Sequence, residues 1–263
     1  MTTSAGKSTA PEIDPDAYGW EDFLVVPDIS HLVTEDDTPV DNLLQEKQQR
    51  FLAQCLYSAW TAEVPFLVAA NVGLFYGLKL PALVPDVMLS LDVTVPEDWS
   101  QKEQRSYFVW EFGKPPDVAI EIVSNKKGDE LGGKLQKYAR AGVTYYAVFD
   151  PLKRLGEVVL QIYSLKEGNY HWLEGTWMEQ VGLGLTLWEG VFEDKHYQWL
   201  RWCDRDGNVL LTGDEQAVQE RQRAEAERQR AEAAEQQLAQ AQRQAARLAE
   251  LLRSQGINPD EVL

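Results

Sequence analysis

The sequence predicts an α/β protein with a mixed central sheet flanked by helices, followed by a long C-terminal helix with coiled-coil character. Three observations lead to this fold class. Two apolar stretches typical of strands lie within residues 65–96, and apolar residues alternate with a strand period in 116–124. A helix pattern and a further strand pattern follow in residues 129–151, and a seven-residue repeat rich in alanine occupies the chain after Gly213.

The composition is that of an ordinary globular protein. With 263 residues, of which 44% are hydrophobic, the chain can form one sizeable core and an appendage. No stretch approaches the roughly 20 apolar residues that span a bilayer, so we expect a cytoplasmic protein without membrane contact. Cys55 and Cys203 have no neighbours at metal-site spacing and are expected to be buried thiols.

The net charge of −17 argues against a surface that attracts nucleic acid as a whole, because phosphate contacts require Lys and Arg. Only 10 acidic and 7 basic residues follow Gly213, so most of the excess acid belongs to the preceding part of the chain. A nucleic-acid ligand would therefore need a local basic region. The sequence offers one such group, Lys126, Lys127, Lys134, Lys137 and Arg140.

Changes in composition divide the chain into four segments. We expect a flexible segment at 1–19, a globular domain at 20–213, a long helix at 214–255 and a short tail at 256–263.

The globular domain contains an early predicted helix, from about Asp41 to Trp60. Asp41 is the expected N-cap, and Glu46 lies near the start of the helix. Apolar positions recur with a helical period and define one face, formed by Leu43, Leu44, Phe51, Leu52, Leu56 and Tyr57.

Acidic residues interrupt two of the predicted strands. Asp86 is embedded among valine and leucine residues, and Asp117 and Glu121 share one face of the strand at 116–124. Because Asp is disfavoured in strands and Ala and Val gain little from facing water, this face is expected to be half-buried. Buried acids need a partner.

The next elements form a strand–helix–strand unit. Residues 129–141 predict a helix ended by Gly142, and 145–151 predict a strand, which together imply a right-handed parallel crossover. The aromatic-rich residues 155–200 predict an antiparallel meander that extends the sheet.

The C-terminal region predicts one helix from about Gln216 to Ser254 with a coiled-coil seam. Two heptad positions carry small and apolar residues, with Ala224, Ala231, Leu238, Ala245 and Leu252 at one and Ala234, Ala241 and Leu248 at the other. The expected partner is a second copy of the chain, in a symmetric homodimer. The alternative is a solitary charged helix, since an alanine-rich seam buries little area and Glu220 and Glu227 occupy it.

Three motifs carry a family resemblance, PDV at 85–87, PPDVAIEIVS at 115–124 and GGKLQKYARAGVTYYAVFDP at 132–151. In combination they resemble the Uma-two family of the PD-(D/E)xK restriction endonuclease-like superfamily, over roughly residues 20–200. The resemblance implies a restriction endonuclease-like fold and metal-dependent hydrolysis of phosphodiester bonds in DNA.

The chain departs from the superfamily pattern at the lysine. Superfamily enzymes usually place it two residues after the strand acid, where this chain has Val123. The resemblance implies that the lysine has moved to the following helix, and it nominates Lys134 as the catalytic lysine. Many relatives carry an Asp four residues before that lysine, where this chain has Glu130.

Phosphodiester hydrolysis needs a hydroxide and neutralisation of transition-state charge, which Mg²⁺ or Mn²⁺ supplies when carboxylates bind it. Asp86 and Glu121 are expected on adjacent strands, where they could bind one ion. Asp117 lies four residues from Glu121 on one strand, about 13 Å away, so these two carboxylates cannot share one ion. Asp86 is therefore preferred, and Asp117 is kept as the alternative ligand. Glu46 is a further candidate ligand, and Lys134 would orient the attacking water or stabilise the leaving charge.

Each candidate also has a purely structural interpretation. Asp86 and Asp117 follow proline and could mark turns or strand starts, whereas Glu46 could be a solvated helix residue and Lys134 a helix surface charge. Glu121 is hardest to explain in this way, because isoleucine flanks it on both sides. The alternative to an endonuclease is a non-catalytic scaffold or regulatory protein that keeps the nuclease fold and assembles through its C-terminal helix.

Overall fold

The computed structural model describes residues 42–124 and 129–256. The helices are α1 (Leu43–Ala59), α2 (Val109–Phe112), α3 (Leu135–Ala141) and α4 (Gly213–Ser254), and a π-helical turn (Glu130–Lys134) precedes α3. The strands are β1 (Phe66–Ala70), β2 (Leu74–Phe75), β3 (Val87–Leu91), β4 (Tyr107–Phe108), β5 (Val118–Ile122), β6 (Tyr145–Phe149), β7 (Leu160–Lys166), β8 (Asn169–Trp172), β9 (Trp177–Met178), β10 (Leu183–Phe192) and β11 (Lys195–Cys203). The expected flexible segment 1–19, Lys126 and Lys127 lie outside the described residues.

The central sheet has six strands in the order β1-β3-β5-β6-β7-β8. Strands β5 and β6 pair in parallel, and the other neighbours pair antiparallel. The expected mixed sheet is therefore confirmed. The parallel pair follows from the connection through α3, since two parallel strands need a crossover that returns the chain to the same end of the sheet.

The meander expected over residues 155–200 is correct only in part. Strands β7 and β8 extend the central sheet, but β9, β10 and β11 form a separate three-stranded sheet. Buried side chains of this second sheet, such as Trp199 and Trp202, share one core with Phe51 and Leu52 of α1 and with the central sheet. The buried face of α1 therefore packs against both sheets in one core.

Helix α1 begins after Asn42, which is its N-cap. The backbone of Asn42 is extended, and its Oδ1 atom accepts hydrogen bonds from the N–H groups of Leu44 and Gln45. The prediction of Asp41 as the cap is therefore wrong, because the capping side chain must come from the residue directly before the first helical turn.

The buried side of α1 contains glutamine as well as the expected apolar residues. Gln48 is fully buried, its Nε2 donates to the carbonyl of Leu200 at 2.8 Å, and its Oε1 accepts from the N–H of Leu200 at 2.9 Å. Strand β11 is at the edge of its sheet, so Gln48 satisfies backbone groups that no strand pairs. Leu43 and Tyr57, expected on the apolar face, are exposed.

The alternation expected in β5 is confirmed. Val118, Ile120 and Ile122 belong to the core that contains α1, whereas Ala119 and Val123 belong to the core beneath α3. Glu121 lies between these last two positions and therefore faces α3.

Helix α4 confirms the long helix expected in the C-terminal region. Thr212 and Glu215 form a capping box at its start, and Glu215 also pairs with both terminal nitrogens of Arg201 at 2.7 and 2.8 Å. The guanidinium of Arg201 is buried over the rings of Phe51 and Trp188. The first turn of α4 is thus anchored to the domain, although α4 contains no buried residue.

Two further expectations can be compared with the structure. Cys55 and Cys203 are buried free thiols, as predicted. Within the described part of the chain, no helix has both the length and the hydrophobicity that crossing a bilayer requires.

We expect Gln48→Ala to reduce the free energy of unfolding by about 2–4 kcal/mol, because it leaves a buried N–H and a buried carbonyl of Leu200 without partners. Urea unfolding followed by circular dichroism measures the loss. Gln54→Ala, at a half-buried position of the same helix, is the matched control and should cost much less. Equal losses in the two variants would contradict this account of Gln48.

Candidate active site

Asp86 and Glu121 lie side by side where β3 begins and β5 ends. The antiparallel register pairs Val87 with Ile120, and extending it by one residue places Asp86 opposite Glu121 on the same face of the sheet. Asp86 is 7% exposed and Glu121 is 2% exposed. The Oδ2 atom of Asp86 accepts a hydrogen bond from the N–H of Ile122 at 2.6 Å. The structure therefore brings these two predicted residues together.

Both carboxylate oxygens of Glu121 accept hydrogen bonds from the segment that follows β5. Lys134 Nζ lies 2.8 Å from Oε2, and the Tyr138 hydroxyl lies 2.6 Å from Oε1. Burial is the main reason why the pKa of Glu121 is raised to about 7. The positive charge of Lys134 opposes this rise in the pKa, and the negative charge of Asp86 adds to it. Burial lowers the pKa of Lys134, but the attraction of Glu121 and other nearby acids outweighs it and the pKa lies above its ordinary value.

The π-helical turn before α3 brings Lys134 to Glu121. Asp129 opens the turn with a left-handed backbone (φ 55°), and its carboxylate accepts a hydrogen bond from the N–H of Gly133 at 2.7 Å. A side chain at Gly132 or Gly133 would collide with this carboxylate. The two glycines therefore permit the wide turn. The turn ends at Lys134, so it brings a lysine to Glu121 although strand β5 carries none.

Glu130, the first residue of the turn, adds a third buried carboxylate. Its backbone carbonyl accepts a hydrogen bond from the Tyr146 hydroxyl at 3.0 Å, and its Oε1 lies 3.5 Å from Lys134 Nζ. Its Oε2 is buried and has no hydrogen-bond partner among the described residues. We refer to Asp86, Glu121, Glu130 and Lys134 as the acidic cluster.

Several residues around the acidic cluster were not predicted from the sequence, Tyr138 among them. The Nε2 of Gln49 donates to Asp86 Oδ1 at 2.7 Å, and its Oε1 accepts from Asn71 at 2.8 Å. Gln45, one turn earlier on α1, donates to the carbonyl of Ile122 at 3.0 Å. Their four-residue spacing is a signal for a shared helix face, but periodicity analysis treats glutamine as a surface residue.

The remaining candidate ligands, Glu46 and Asp117, lie in other contacts. Glu46 accepts from Arg50 at 2.8 Å on an exposed part of α1. Asp117 accepts from Lys114 Nζ at 2.6 Å and from the N–H of Leu91 at 2.7 Å. Among the described residues, neither carboxylate has a hydrogen bond to the acidic cluster.

The donor atoms of the acidic cluster fit a small divalent cation. Mg²⁺ and Mn²⁺ prefer oxygen ligands, and Mg²⁺ is usually held by one or two carboxylates while waters and substrate phosphate complete the shell. Asp86 and Glu121 are the two carboxylates of the cluster that the strand register places opposite each other. Within residues 42–124 and 129–256, no three or more His, Cys, Asp or Glu residues form a group arranged to hold an ion.

Taken together, the mixed sheet, the flanking helices and the buried acids beside a lysine define a protein of the restriction endonuclease-like class. A family model for Uma2, described as "Putative restriction endonuclease", matches residues 35–188, which is more than half of the chain. The chain belongs to this family. No curated protein matches it.

Solved structures are similar to part of the chain. One of them is the crystal structure, at 1.96 Å resolution, of "a putative nuclease belonging to DUF820 from Anabaena variabilis ATCC 29413". The identity is 14% and the TM-score 0.37, over 51% of this chain and 69% of that chain. With so low a TM-score, this similarity supports no conclusion about fold or function.

The raised pKa of Glu121 predicts a pH-dependent stability. Because the folded-state pKa of about 7 exceeds the ordinary value of 4.5, the contribution of Glu121 is complete below about pH 4.5 and is lost as the pH rises through about 7. Relative to Glu121→Gln, the wild-type protein should therefore lose roughly 3 kcal/mol of unfolding free energy between pH 4.5 and 8. Urea unfolding of both proteins across this range measures the difference.

Glu157→Gln is the matched control, because its side chain is 91% exposed. Its stability should follow that of the wild-type protein at every pH. A constant difference between wild type and Glu121→Gln from pH 4.5 to 8 would show that Glu121 does not titrate in this range.

Proposed function

We propose that this protein is a metal-dependent endonuclease that hydrolyses phosphodiester bonds of DNA. The observation that carries the proposal is the pair of buried carboxylates, Asp86 and Glu121, on one sheet face with Lys134 Nζ 2.8 Å from Glu121. Two neighbouring buried acids are costly unless cations offset their charge. A divalent cation would do so and would also supply the positive charge that this hydrolysis needs.

The residues of the acidic cluster and their neighbours would divide the work of the reaction. Asp86 and Glu121 would hold Mg²⁺ or Mn²⁺, which when bound supplies a hydroxide at neutral pH and neutralises charge on the phosphate. Lys134 would orient the attacking water or stabilise the leaving charge. Gln49 holds one oxygen of Asp86, and Tyr138 holds one oxygen of Glu121. These hydrogen bonds would restrict how each carboxylate turns toward the ion.

A local basic face supports DNA as the substrate. Lys137 and Arg140 are exposed on α3, the helix that directly follows Lys134. Such residues could bind phosphates beside the acidic cluster even though the whole chain carries a net charge of −17, because direct phosphate contacts need only local cations.

The exposed seam of α4 supports assembly into a homodimer. Leu238 and Leu248 occupy heptad positions yet are 60% and 61% exposed. A helix of 42 residues is roughly 63 Å long, too long to pack wholly on its own domain. A coiled coil between two copies would cover the seam, and two active sites could then address both DNA strands. The same dimer with an inactive cluster would be a scaffold or regulatory protein, which is the alternative function.

The Glu121→Gln variant should lose Mn²⁺-stimulated DNA cleavage by at least about 100-fold, because it removes a ligand charge at nearly constant volume. Asp86→Asn and Lys134→Ala should also lose activity. Cleavage of supercoiled plasmid and of a labelled duplex measures the rates. Titration calorimetry with Mn²⁺ should show weaker binding for Glu121→Gln and Asp86→Asn.

Glu157→Gln serves again as the control and should cleave at the wild-type rate. Glu46→Gln and Asp117→Asn test the two remaining candidate ligands, since a matching loss of Mn²⁺ binding in either would assign it to the site. Equal cleavage by wild type and Glu121→Gln would contradict the proposal. A wild-type protein that cleaves no DNA with either ion would favour the scaffold alternative.

Truncation after Gln219 should convert a homodimer into a monomer, because it removes most of the α4 seam. This end point keeps Glu215, whose ion pair with buried Arg201 anchors the start of α4, so the domain remains folded. Size-exclusion chromatography with light scattering measures the mass.

Substitutions within the full-length chain make the same test without truncation. Leu238→Lys together with Leu248→Lys should also give a monomer. Gln222→Lys together with Gln236→Lys, at a heptad position away from the seam, should leave the dimer intact. A monomeric wild-type protein, or a truncated protein that stays dimeric, would rule out assembly through α4.

A further inference from the structure

Glu130 differs from the two other carboxylates of the acidic cluster. Both oxygens of Glu121 and both oxygens of Asp86 accept hydrogen bonds from protein groups. Glu130 approaches Lys134 with Oε1 only, at 3.5 Å, while its Oε2 is buried without a partner in the described part of the chain. Among the carboxylate oxygens of the acidic cluster, Oε2 of Glu130 therefore lacks a donor from residues 42–124 and 129–256.

The surrounding structure holds Glu130 in this position. The Tyr146 hydroxyl donates to the backbone carbonyl of Glu130 at 3.0 Å, and Asp129 fixes the turn through the N–H of Gly133. The side chain of Glu130 is 5% exposed. An unsatisfied buried acceptor costs about 1–3 kcal/mol, and more when it is charged, so a donor beyond the described residues is expected at Oε2. Water is the donor small enough to reach such a site.

The hydrolysis proposed above also needs a group that accepts a proton from water. Lys134 cannot be this group while it is paired with Glu121 and Glu130, because an ammonium has three donors and no acceptor. The oxygens of Asp86 and Glu121 are already engaged. Oε2 of Glu130 is the remaining carboxylate oxygen of the acidic cluster.

We propose that Glu130 is the general base of this reaction, an assignment that rests on the proposed nuclease function. The water O–H bond breaks, its proton passes to Oε2 of Glu130, and its electron pair forms the new bond to phosphorus. The bond from phosphorus to the leaving oxygen breaks, and that oxygen keeps the electron pair and takes a proton from solvent. Glu130 then returns its proton to solvent, and Lys134 stabilises the leaving charge.

Glu130→Gln tests this role, because it keeps the volume of the side chain and an oxygen that can face Lys134 but cannot accept the proton. We expect kcat for a labelled duplex to fall about 100-fold or more, with KM and Mn²⁺ affinity unchanged within about twofold. Glu130→Asp should retain part of the rate, and Glu157→Gln should behave as wild type. Thermal unfolding verifies that each variant is folded.

The outcomes separate this inference from the proposed function. Wild-type cleavage with an equally active Glu130→Gln would overturn the role of Glu130 alone. A loss of Mn²⁺ affinity in Glu130→Gln would make Glu130 a metal ligand and would also overturn it. A wild-type protein without cleavage would overturn both proposals.

A crystal structure of the wild-type protein with Mn²⁺ provides a readout that does not depend on turnover. We expect an ordered water within about 3.2 Å of Glu130 Oε2. A metal ion bound directly to Oε2, or a protein donor in place of the water, would overturn the assignment.

Discussion

The burial of one carboxylate, Glu121, determines how the elements around it are arranged. At 2% exposure it can remain in the sheet only if both of its oxygens are satisfied, because an unpaired buried charge costs several kcal/mol. Lys134 and Tyr138 meet this requirement from the π-helical turn and from α3, so both must lie over this face of β5. Asp86 on the neighbouring strand adds a second negative charge, which raises the pKa of Glu121 further.

Helix α1 connects this site to the rest of the domain through glutamine side chains. Gln48 bonds to the backbone of β11, Gln49 to Asp86, and Gln45 to the carbonyl of Ile122. A helix that packs only apolar groups could shift slightly at small cost, whereas these hydrogen bonds are directional and specify its position. One helix therefore fixes the position of the second sheet relative to the acidic cluster.

The strands and their order along the chain were readable from the sequence because alternation reports which face of a strand is buried. The parallel crossover followed from the strand–helix–strand order, and the long C-terminal helix followed from the heptad repeat. The separation of β9, β10 and β11 into a second sheet could not be predicted from the sequence, because these strands show the same alternation as strands that extend a sheet. The roles of Gln45 and Gln49 were missed for a related reason: a glutamine on a helix shows its burial only when its distant partner is known.

The sequence by itself determined the local elements, the family and the identity of the acids and the lysine, because these depend on residue type and short-range spacing. The tertiary structure decided which of those acids meet. It placed Glu130 rather than Glu46 beside Lys134 and gave Asp117 a partner in Lys114. It also left one oxygen of Glu130 without a donor from the described part of the chain. The meeting of Asp86 with Glu121 and with Gln49 depends on contacts between segments far apart in the chain, whose geometry is set by packing of the whole core and not by any one segment.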